Sequence, residues 1–197
     1  MKCIRKCAEN IDEIAEILRE GKVVVLPTDT VYGFSGIVDL KSSSASYATD
    51  SVIRSIKGRS ETKPLIELIA SPSDIKRYTD DEIPSNLLEK WPGPLTIIVN
   101  IKKDSPLSSS LPTVAFRCPG DEWLRKVIEK AGSPIFSTSV NRSGKPVLSR
   151  IDEIKAEFGQ EVEAVIDDGD KLNGVPSTIV SVNGKEIKVL RQGAVII

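Results

Sequence analysis

Hydroxyl and amide side chains follow two apolar runs of this sequence, at the points where those runs end. One run leads into Thr28 and Thr30, and the other leads into Ser137-Thr138-Ser139 and then Asn141. In α/β sheets a ligand crevice lies outside the carboxyl ends of the strands, so these side chains could converge on one site. Ser, Thr and Asn also cap helices and close turns. Both interpretations, a shared site and local capping, stay open on the residues alone.

Basic residues suggest what such a site would bind. In Lys57-Gly58-Arg59 the glycine lets the backbone bend so that both charged heads can reach one anion, an arrangement that suits a polyphosphate. The alternative is that this triplet is an ordinary solvent-exposed helix end, because helix ends often carry similar basic triplets. Arg117 interrupts an apolar run and precedes Pro119, so we expect its guanidinium at the end of a strand. It would serve there either as an anion ligand or as half of a structural ion pair.

The sequence contains no histidine among its 197 residues. This excludes Ser-His-Asp and Cys-His catalysis, imidazole bases and histidine-bearing metal sites. Proton transfer near neutral pH must then use a shifted carboxylate or lysine, the substrate itself, or water. Neither G-x-x-x-x-G-K-[ST] nor G-x-G-x-x-G occurs, so we expect no glycine-loop nucleotide site. The residues alone therefore indicate an anion site with hydroxyl donors.

Composition is that of an ordinary globular protein. There are 28 acidic and 27 basic residues, giving a formal net charge of -1, which argues against coating nucleic acid by bulk charge and leaves a local basic patch open. The three cysteines suit a reducing compartment. No apolar run approaches the roughly 18–20 residues of a membrane helix. We expect one domain spanning residues 1–197, a cytoplasmic location and no membrane association.

Hydrophobic periodicity predicts an α/β sheet with strands of mixed parallel and antiparallel direction. A helix is predicted from Ile11 to Leu18, with Asn10 as N-cap, and the serine-rich segment 42–46 is predicted to cap a helix that ends near Ile56. Asn183-Gly184 predicts a tight hairpin between the last two strands. The other predicted helices are Glu122–Ala131 and Asp152–Phe158, and the predicted strands are Val23–Leu26, Phe34–Val38, Pro64–Ala70, Leu95–Ile101, Thr113–Cys118, Ile135–Ser137, Ala164–Ile166, Thr178–Val182 and Ile187–Arg191.

Six segments, taken together, resemble the YrdC family of threonylcarbamoyl-AMP synthases. Their order and spacing cover about residues 10 to 195, and together they are specific where each alone is weak. The segments are Pro27-Thr28-Asp29-Thr30-Val31-Tyr32-Gly33, Lys57-Gly58-Arg59 with Lys63-Pro64-Leu65, Thr113-Val114-Ala115-Phe116-Arg117, Ser139-Val140-Asn141-Arg142-Ser143-Gly144, Pro176-Ser177-Thr178-Ile179-Val180, and Arg191-Gln192-Gly193. The resemblance implies a single-domain open, twisted sheet with flanking helices and a concave, basic surface.

The resemblance also implies an activity. Members of the family condense L-threonine, bicarbonate and ATP into threonylcarbamoyl-adenylate and release pyrophosphate, which makes them nucleotidyltransferases. A partner complex then transfers the threonylcarbamoyl group to an adenosine of tRNA, and direct binding of tRNA or double-stranded RNA is open. Mg²⁺ would enter with ATP and bridge its phosphates, with no dedicated protein ligand set. Asp29 is the nearest carboxylate for an outer-sphere role, and a plain turn residue is the alternative.

Individual roles follow from the positions that match the family's motifs. Its K-x-R and S-x-N elements fall on the residues expected to form the catalytic set, which are Lys57, Arg59, Ser139 and Asn141. The nucleotide would contact Arg59, Lys63, Thr113, Asn141, Ser149 and Arg191, with Lys57 on its phosphates. The threonine end would be held by Thr30, Arg117, Ser139 and Ser177. Arg117 is placed to pair with the threonine carboxylate.

Three departures from the family pattern bear on these roles. Leu68 occupies a position where many members carry a histidine, so a contact to threonine is missing or supplied otherwise. Ser60 replaces a proline after the arginine, and Val140 replaces the alanine of S-x-N. The chain ends soon after Arg191, and we therefore expect the short, single-domain form of the family.

Two alternative readings share the fold. The first is a non-catalytic RNA- or ribosome-binding module like the YciO branch, which lacks the K-x-R and S-x-N elements that are present here. The second is a carbamoyl-phosphate-dependent maturation factor, which carries this domain within a much longer chain.

Overall fold

The computed structural model describes residues 1–43, 46–58, 64–108, 111–184 and 186–197, with Asn183 described by its backbone alone. Arg59 and Lys63, two of the residues assigned to the nucleotide, lie outside the described residues. So do residues 44 and 45 of the serine-rich segment. Everything below concerns the described part of the chain.

The described residues form ten strands in one sheet. In chain order the strands are β1 (Lys2–Arg5), β2 (Val24–Leu26), β3 (Gly33–Ile37), β4 (Ile66–Leu68), β5 (Leu95–Asn100), β6 (Thr113–Arg117), β7 (Ile135–Ser139), β8 (Ala164–Asp167), β9 (Thr178–Asn183) and β10 (Glu186–Arg191). Their order across the sheet is β1-β8-β2-β3-β7-β4-β6-β5-β9-β10. All nine strands predicted from sequence are confirmed, with bounds within two residues of those expected.

Strand directions are mixed, as the sequence predicted. β8 runs parallel to β1 and β2, β4 runs parallel to β6, and β5 runs parallel to β9. The remaining neighbours, including the β3–β7 and β4–β7 pairs at the centre, are antiparallel. β9 and β10 form the predicted hairpin, in which Asn183 pairs with Glu186 and Gly184 adopts a φ of +60°.

Five α-helices flank this sheet. They are α1 (Ile11–Arg19), α2 (Thr49–Lys57), α3 (Ser85–Leu88), α4 (Glu122–Ala131) and α5 (Ile151–Phe158), and 3-10 turns cover Ala8–Asn10 and Pro72–Arg77. The longest of these described helices has 10 residues. No described helix has the length and apolarity needed to cross a membrane.

Two predicted helix caps differ in the structure. Asn10 does occupy the N-cap position of α1, but its side chain makes no capping bond. Its amide nitrogen instead donates to the carbonyl of Arg5, at 2.9 Å, which ties the end of β1 to the start of α1. The prediction that the serine-rich segment caps α2 is wrong, because Ala48 is the N-cap of that helix and carries no capping side chain.

Apolar side chains cover both faces of the sheet. On one face, α1 and α4 pack on β2, β4, β7 and β8 through a cluster that includes Leu18, Leu68 and Ile128. On the other face, α2 and α5 pack over Val25 and Phe34. A third cluster, built around Tyr78, fills the region over β5 and β6. Burial of these side chains, at about 25 cal/mol per Å² of apolar surface, is the main stabilising contribution to the fold.

The helix pair α1 and α4 covers only part of its face, and β7 shows where the cover ends. Ile135, Ser137 and Ser139 point to the same face because side chains alternate along a strand. Ile135 is fully buried beneath the helices, whereas Ser137 and Ser139 line an open cavity. The same change occurs along β4 between Leu68 and Ile66. The uncovered part of this face is therefore polar where the covered part is apolar.

The packing of α4 on α1 gives the first testable prediction. We expect Ile128→Ala to reduce the free energy of unfolding by about 3 kcal/mol, since it leaves a cavity in the buried cluster. Urea denaturation monitored by circular dichroism measures this change. As a matched control, Val52→Ala on the exposed side of α2 should change it by less than about 0.5 kcal/mol. Equal effects of the two substitutions would contradict this account of the core.

Candidate active site

A cavity of about 270 Å³ lies on the uncovered part of the sheet. The charged residues among its described lining are both arginines, Arg117 and Arg191. Hydroxyl groups line it from several directions, contributed by Thr28, Thr30, Ser137, Thr138, Ser139 and Ser177. A cavity with two guanidinium groups, many hydroxyl donors and no described carboxylate in its lining suits an anionic ligand.

Arg117, the last residue of β6, occupies the centre of this arrangement. Its side chain is 5% exposed, and its donors reach two separate loops. Nε donates to the carbonyl of Gly93 at 3.2 Å, one terminal nitrogen donates to Thr30 Oγ1 at 2.9 Å, and the other forms an ion pair with Asp29. The second carboxylate oxygen of Asp29 accepts the backbone N–H of Gly120, at 2.9 Å. The structure thus realises the ion-pair interpretation of Arg117 and places the same guanidinium at the cavity.

The turn after β2 presents Thr30 to this guanidinium. Thr28 Oγ1 accepts the backbone N–H of Thr30 at 3.0 Å and donates to the carbonyl of Val31 at 2.7 Å. The two threonine hydroxyls lie 2.9 Å apart. Local hydrogen bonds of this kind stabilise a tight turn, so both interpretations of the hydroxyl residues hold at this position. Thr28 shapes the turn, and Thr30 faces the cavity.

Ser177 and Arg191 form the wall contributed by β9 and β10. Arg191 donates to the carbonyl of Ser177 through Nε at 3.1 Å and through a terminal nitrogen at 2.8 Å, and the latter also lies 3.2 Å from Ser177 Oγ. The hydroxyl of Thr96 on β5 lies 2.8 Å from Ser177 Oγ. Gly193 packs so closely that a Cβ there would lie 2.2 Å from the carbonyl oxygen of Pro176. Only glycine permits this approach, which holds the 176–177 backbone against the end of β10.

Ser139 lines the cavity, whereas Asn141 and Lys57 are absent from its described lining and are linked to Ser139 by hydrogen bonds. Ser139 Oγ donates to Asn141 Oδ1 at 2.9 Å, and the Lys57 ammonium donates to the same oxygen at 2.8 Å. Lys57 also donates to the backbone carbonyls of Ser139 and Asn141, and its residue is 4% exposed. The structure therefore uses Lys57 to fix the turn after β7. Its predicted contact with phosphate remains a prediction.

The remaining predicted residues lie elsewhere. Thr113, at the start of β6, lines a second cavity and is absent from the described lining of this one. Ser149 also does not line it, and its carbonyl accepts a hydrogen bond from the backbone of Lys171 at 2.8 Å. Leu68, in the position where many family members carry histidine, is buried under α1 and α4. A histidine contact from position 68 thus has no equivalent in this cavity.

Three contributors were given no individual role in the sequence analysis. Thr96 lies within the apolar run of β5, and the one available signal was a hydroxyl among aliphatic residues. Gly193 belongs to a quoted motif, but its role depends on the distant backbone at Pro176. Tyr32, whose hydroxyl donates to the carbonyl of Gly169 at 2.7 Å, also lines the cavity, and burial raises its pKa to about 12.

Burial lowers the pKa of both arginines of the cavity. Desolvation lowers the pKa of Arg117, the nearby Asp29 carboxylate opposes this effect, and repulsion from Arg191 adds to it. Desolvation also lowers the pKa of Arg191. Guanidinium groups nevertheless stay protonated in proteins at neutral pH. The two charges face each other closely enough to interact, so an anion between them would be favoured.

Asp29 does not fit the role of a metal ligand. Both of its oxygens already have partners, one in Arg117 and one in the Gly120 N–H. Across the described ranges, no cluster of three or more acidic or cysteine side chains could hold a metal ion. The turn-residue alternative agrees with the contacts of Asp29.

The Asp29–Arg117 pair gives the second prediction. We expect Asp29→Ala to reduce the free energy of unfolding by about 3 kcal/mol, because it leaves the buried Arg117 guanidinium without a counter-charge. Removal of Glu16 from its exposed pair with Arg19 on α1 is the control and should change it by less than about 0.5 kcal/mol. Both are measured by urea denaturation. If the Asp29 and Glu16 substitutions both change the free energy of unfolding by a similarly small amount, Asp29 does not compensate the buried charge of Arg117.

Comparison with known proteins agrees with the resemblance. Residues 16–193 match the Sua5/yciO/yrdC family, described as "Telomere recombination". Among curated proteins, the threonylcarbamoyl-AMP synthases of Pyrococcus abyssi and Bacillus subtilis are each 34% identical, over 98% and 94% of this chain. The chain spans 58% and 54% of the lengths of these two relatives.

Solved structures give the same answer for the fold. A crystal structure of P. abyssi Sua5 complexed with L-threonine superimposes with a TM-score of 0.82, at 34% identity, over 98% of this chain and 57% of that one. E. coli YciO superimposes with a TM-score of 0.79 over 98% of this chain and 93% of that one, but at 23% identity it supports the fold alone. Sequence match, fold and cavity together place the chain in the Sua5/YciO/YrdC family.

Proposed function

We propose that this protein is a threonylcarbamoyl-AMP synthase, a nucleotidyltransferase that condenses L-threonine, bicarbonate and ATP. The observation that carries the proposal is the single cavity in which Arg117, Arg191, Thr30, Ser139 and Ser177 meet. The names of the curated relatives and the threonine complex of P. abyssi Sua5 support the same reaction. A cytoplasmic location, where ATP and tRNA are available, is part of the proposal.

The proposed chemistry needs no histidine. The amine of threonine attacks the carbon of bicarbonate, water leaves, and a carbamate forms. A carbamate oxygen then attacks the α-phosphorus of ATP, the bond from that phosphorus to the bridging oxygen breaks, and pyrophosphate leaves. Because the substrates supply both nucleophiles, the protein contributes positioning and charge neutralisation.

The threonine end of the cavity is assigned to Thr30, Arg117, Ser139 and Ser177. Arg117 is held rigidly by its three contacts, so its guanidinium is oriented before a ligand arrives. It already shares its charge with Asp29, and Arg191 beyond Ser177 supplies a second positive charge. We therefore place the threonine carboxylate between the two guanidinium groups, with the hydroxyls of Thr30 and Ser177 as neighbouring donors.

The nucleotide end is assigned to Arg59, Lys63, Thr113, Asn141, Ser149 and Arg191, and Arg191 is shared in this proposal with the threonine carboxylate. Among the described members of this set Arg191 lines the cavity, and Asn141 adjoins it, with its Oδ1 fixed by Ser139 and Lys57. In this arrangement Lys57 acts as a positioning residue for the S-x-N turn. Mg²⁺ would arrive bound to the phosphates of ATP, as part of the substrate, since Asp29 is already paired.

The product requires a second reaction. A carbamoyl-adenylate is an activated mixed anhydride, and its use demands a transferase that delivers the threonylcarbamoyl group to an adenosine of tRNA. A partner complex for this step is part of the proposal. Binding of tRNA or double-stranded RNA by this chain itself is a separate property that a direct titration would measure.

The test is turnover by the purified chain. Incubation with ATP, L-threonine, bicarbonate and MgCl₂ should release pyrophosphate and yield threonylcarbamoyl-adenylate detectable by mass spectrometry. Omission of threonine or of bicarbonate should abolish both signals. Threonine-independent release, or RNA binding without any turnover, would overturn the proposal and favour the non-catalytic module.

Substitution of Arg191 provides the third prediction. We expect Arg191→Ala to lower kcat/KM for threonine by about 10- to 100-fold, the loss expected from one charge-assisted contact to an anion. Arg77→Ala, which removes an exposed arginine from the 3-10 turn, is the matched control and should leave turnover unchanged. Steady-state pyrophosphate release measures both variants. Full activity of Arg191→Ala at low threonine concentration would show that Arg191 does not contribute to the threonine site.

A further inference from the structure

A second cavity, of about 620 Å³, lies on the opposite face of the sheet. Residues of β4 separate the two cavities. Ile66 pairs with Ala115 and Ser137, whereas Glu67 pairs with Phe116 and Phe136. Since successive side chains of a strand point to opposite faces, Ile66 faces the arginine-lined cavity and Glu67 faces the other. The two cavities adjoin at Pro64 and Leu65, which line both, but Glu67 lines the second cavity alone.

Glu67 is the unusual residue of this second cavity. It is 4% exposed, and its Oε2 has no hydrogen-bond partner among the described residues. Nearly all buried polar side-chain atoms in folded proteins have a partner, so such an exception needs an explanation. A cavity of this volume beside the atom is within the range of small-molecule sites. Glu67 lines this cavity, and the described residues supply no hydrogen-bond donor to its Oε2.

The charges around the cavity specify the kind of donor. Asp39, Asp50 and Glu67 oppose one described cation in the lining, Arg54. Asp39 is engaged by backbone N–H groups before α2, including that of Tyr47 at 3.1 Å, so it is held in place. Asp50 lies 3.9 Å from Arg54, so Glu67 is the lining carboxylate that has an oxygen without a described partner. When Glu67 is ionised, a cationic donor would be favoured over a neutral or anionic one.

Apolar side chains complete the lining. Phe136 and Val114 lie on the same sheet face as Glu67, and Leu65 and Leu111 also line the cavity. An aromatic ring beside a buried carboxylate can accommodate an organic cation through both cation–π attraction and contact with its hydrocarbon part. A hydrated metal ion would gain nothing from these apolar walls.

We infer that this second cavity binds an organic cation, an alkylguanidinium or alkylammonium group that donates N–H to Glu67 Oε2 and lays its chain against Phe136 and Val114. The inference shares one lining residue, Thr113, with the nucleotide end of the proposed synthase, and binding of the cation is measured without turnover. It assigns a ligand site to a face of the sheet that carries none of the residues assigned to threonine.

The protonation of Glu67 makes this binding pH-dependent. Burial raises the pKa of the Glu67 carboxyl to about 8, so the group is largely neutral at pH 6.5. A bound cation favours the ionised form, and binding should tighten as pH rises through 8. The other described charged groups of the cavity lining are Asp39, Asp50 and Arg54, and Tyr78 lies close enough to interact with Glu67. Burial raises the pKa of Tyr78, which keeps its phenol neutral over this range.

The experiment titrates the protein with butylguanidinium, which keeps its charge at every pH used, and with butylurea as its neutral isostere. Isothermal titration calorimetry at pH 6.5 and 9.0 should give a Kd for butylguanidinium that is about 30-fold smaller at the higher pH, from the change in ionised Glu67. Butylurea should bind at least about 10-fold more weakly than butylguanidinium at pH 9.0. Absence of butylguanidinium binding, or equal binding of butylurea, would overturn the inference.

Glu67→Gln removes the charge and keeps the shape of the side chain. We expect it to weaken butylguanidinium binding by at least about 10-fold, while Glu186→Gln on exposed β10 leaves binding unchanged. Unaltered binding by Glu67→Gln would place the cation elsewhere and overturn the assignment. A second measurement uses the wild-type protein, in which the Glu67 side-chain carbon resonance reports its own titration. Saturating butylguanidinium should shift that midpoint to lower pH, and an unmoved midpoint would also overturn the inference.

Discussion

The buried guanidinium of Arg117 is the interaction on which the candidate site depends. Three loops that are far apart in sequence, at Asp29–Thr30, Gly93 and Gly120, are joined directly or through Asp29 to this one side chain. A buried charge is expensive unless it is paired and hydrogen-bonded, so the loops are constrained to supply those partners. The same requirement that stabilises Arg117 therefore orients the Thr30 hydroxyl toward the cavity. From the sequence, Arg117 was either half of a structural ion pair or an anion ligand. In the structure the same side chain forms the ion pair and lines the cavity.

The cavity exists because one sheet face is covered over only part of its length. Along β7 the side chains on this face change from Ile135 under the helices to Ser137 and Ser139 beyond them. The apolar portion stabilises the fold through burial, and the polar portion stays solvated until a ligand binds. Gly33, which pairs with Ser139, reinforces this division, because a Cβ there would lie 2.7 Å from Ser137 Oγ. The sheet thus positions polar side chains from three strands, β6, β7 and β10.

Periodicity and motif order predicted most strands and the mixed sheet, because those signals are local. β1 was not predicted, since Ile4 is its one buried residue and its pairing with β8 joins residues more than 160 positions apart. The cap of α2 was wrong because Ala48 occupies the N-cap position, and the N–H groups just before the helix, those of Tyr47 and Ala48, donate to Asp39 ten residues upstream of it. For the site, the motifs predicted the groups that meet at Arg117. They could not predict that Thr113 and Ser149 would lie outside the described lining, which depends on tertiary packing.

The net charge of the cavity indicates which charged group of the proposed substrates it can neutralise. Arg117 and Arg191 are positive, but Asp29 compensates one of them, so the described site retains about one unit of positive charge. That charge matches the single carboxylate of an amino acid and falls well short of a triphosphate. ATP in the proposed reaction must therefore bring magnesium and draw on further cations such as Arg59 and Lys63. Since guanidinium charge does not titrate near neutral pH, the pH dependence of turnover should then follow the ionisation of the threonine amine and bicarbonate. In this arrangement the protein supplies a fixed field, and the substrates supply the reactive groups.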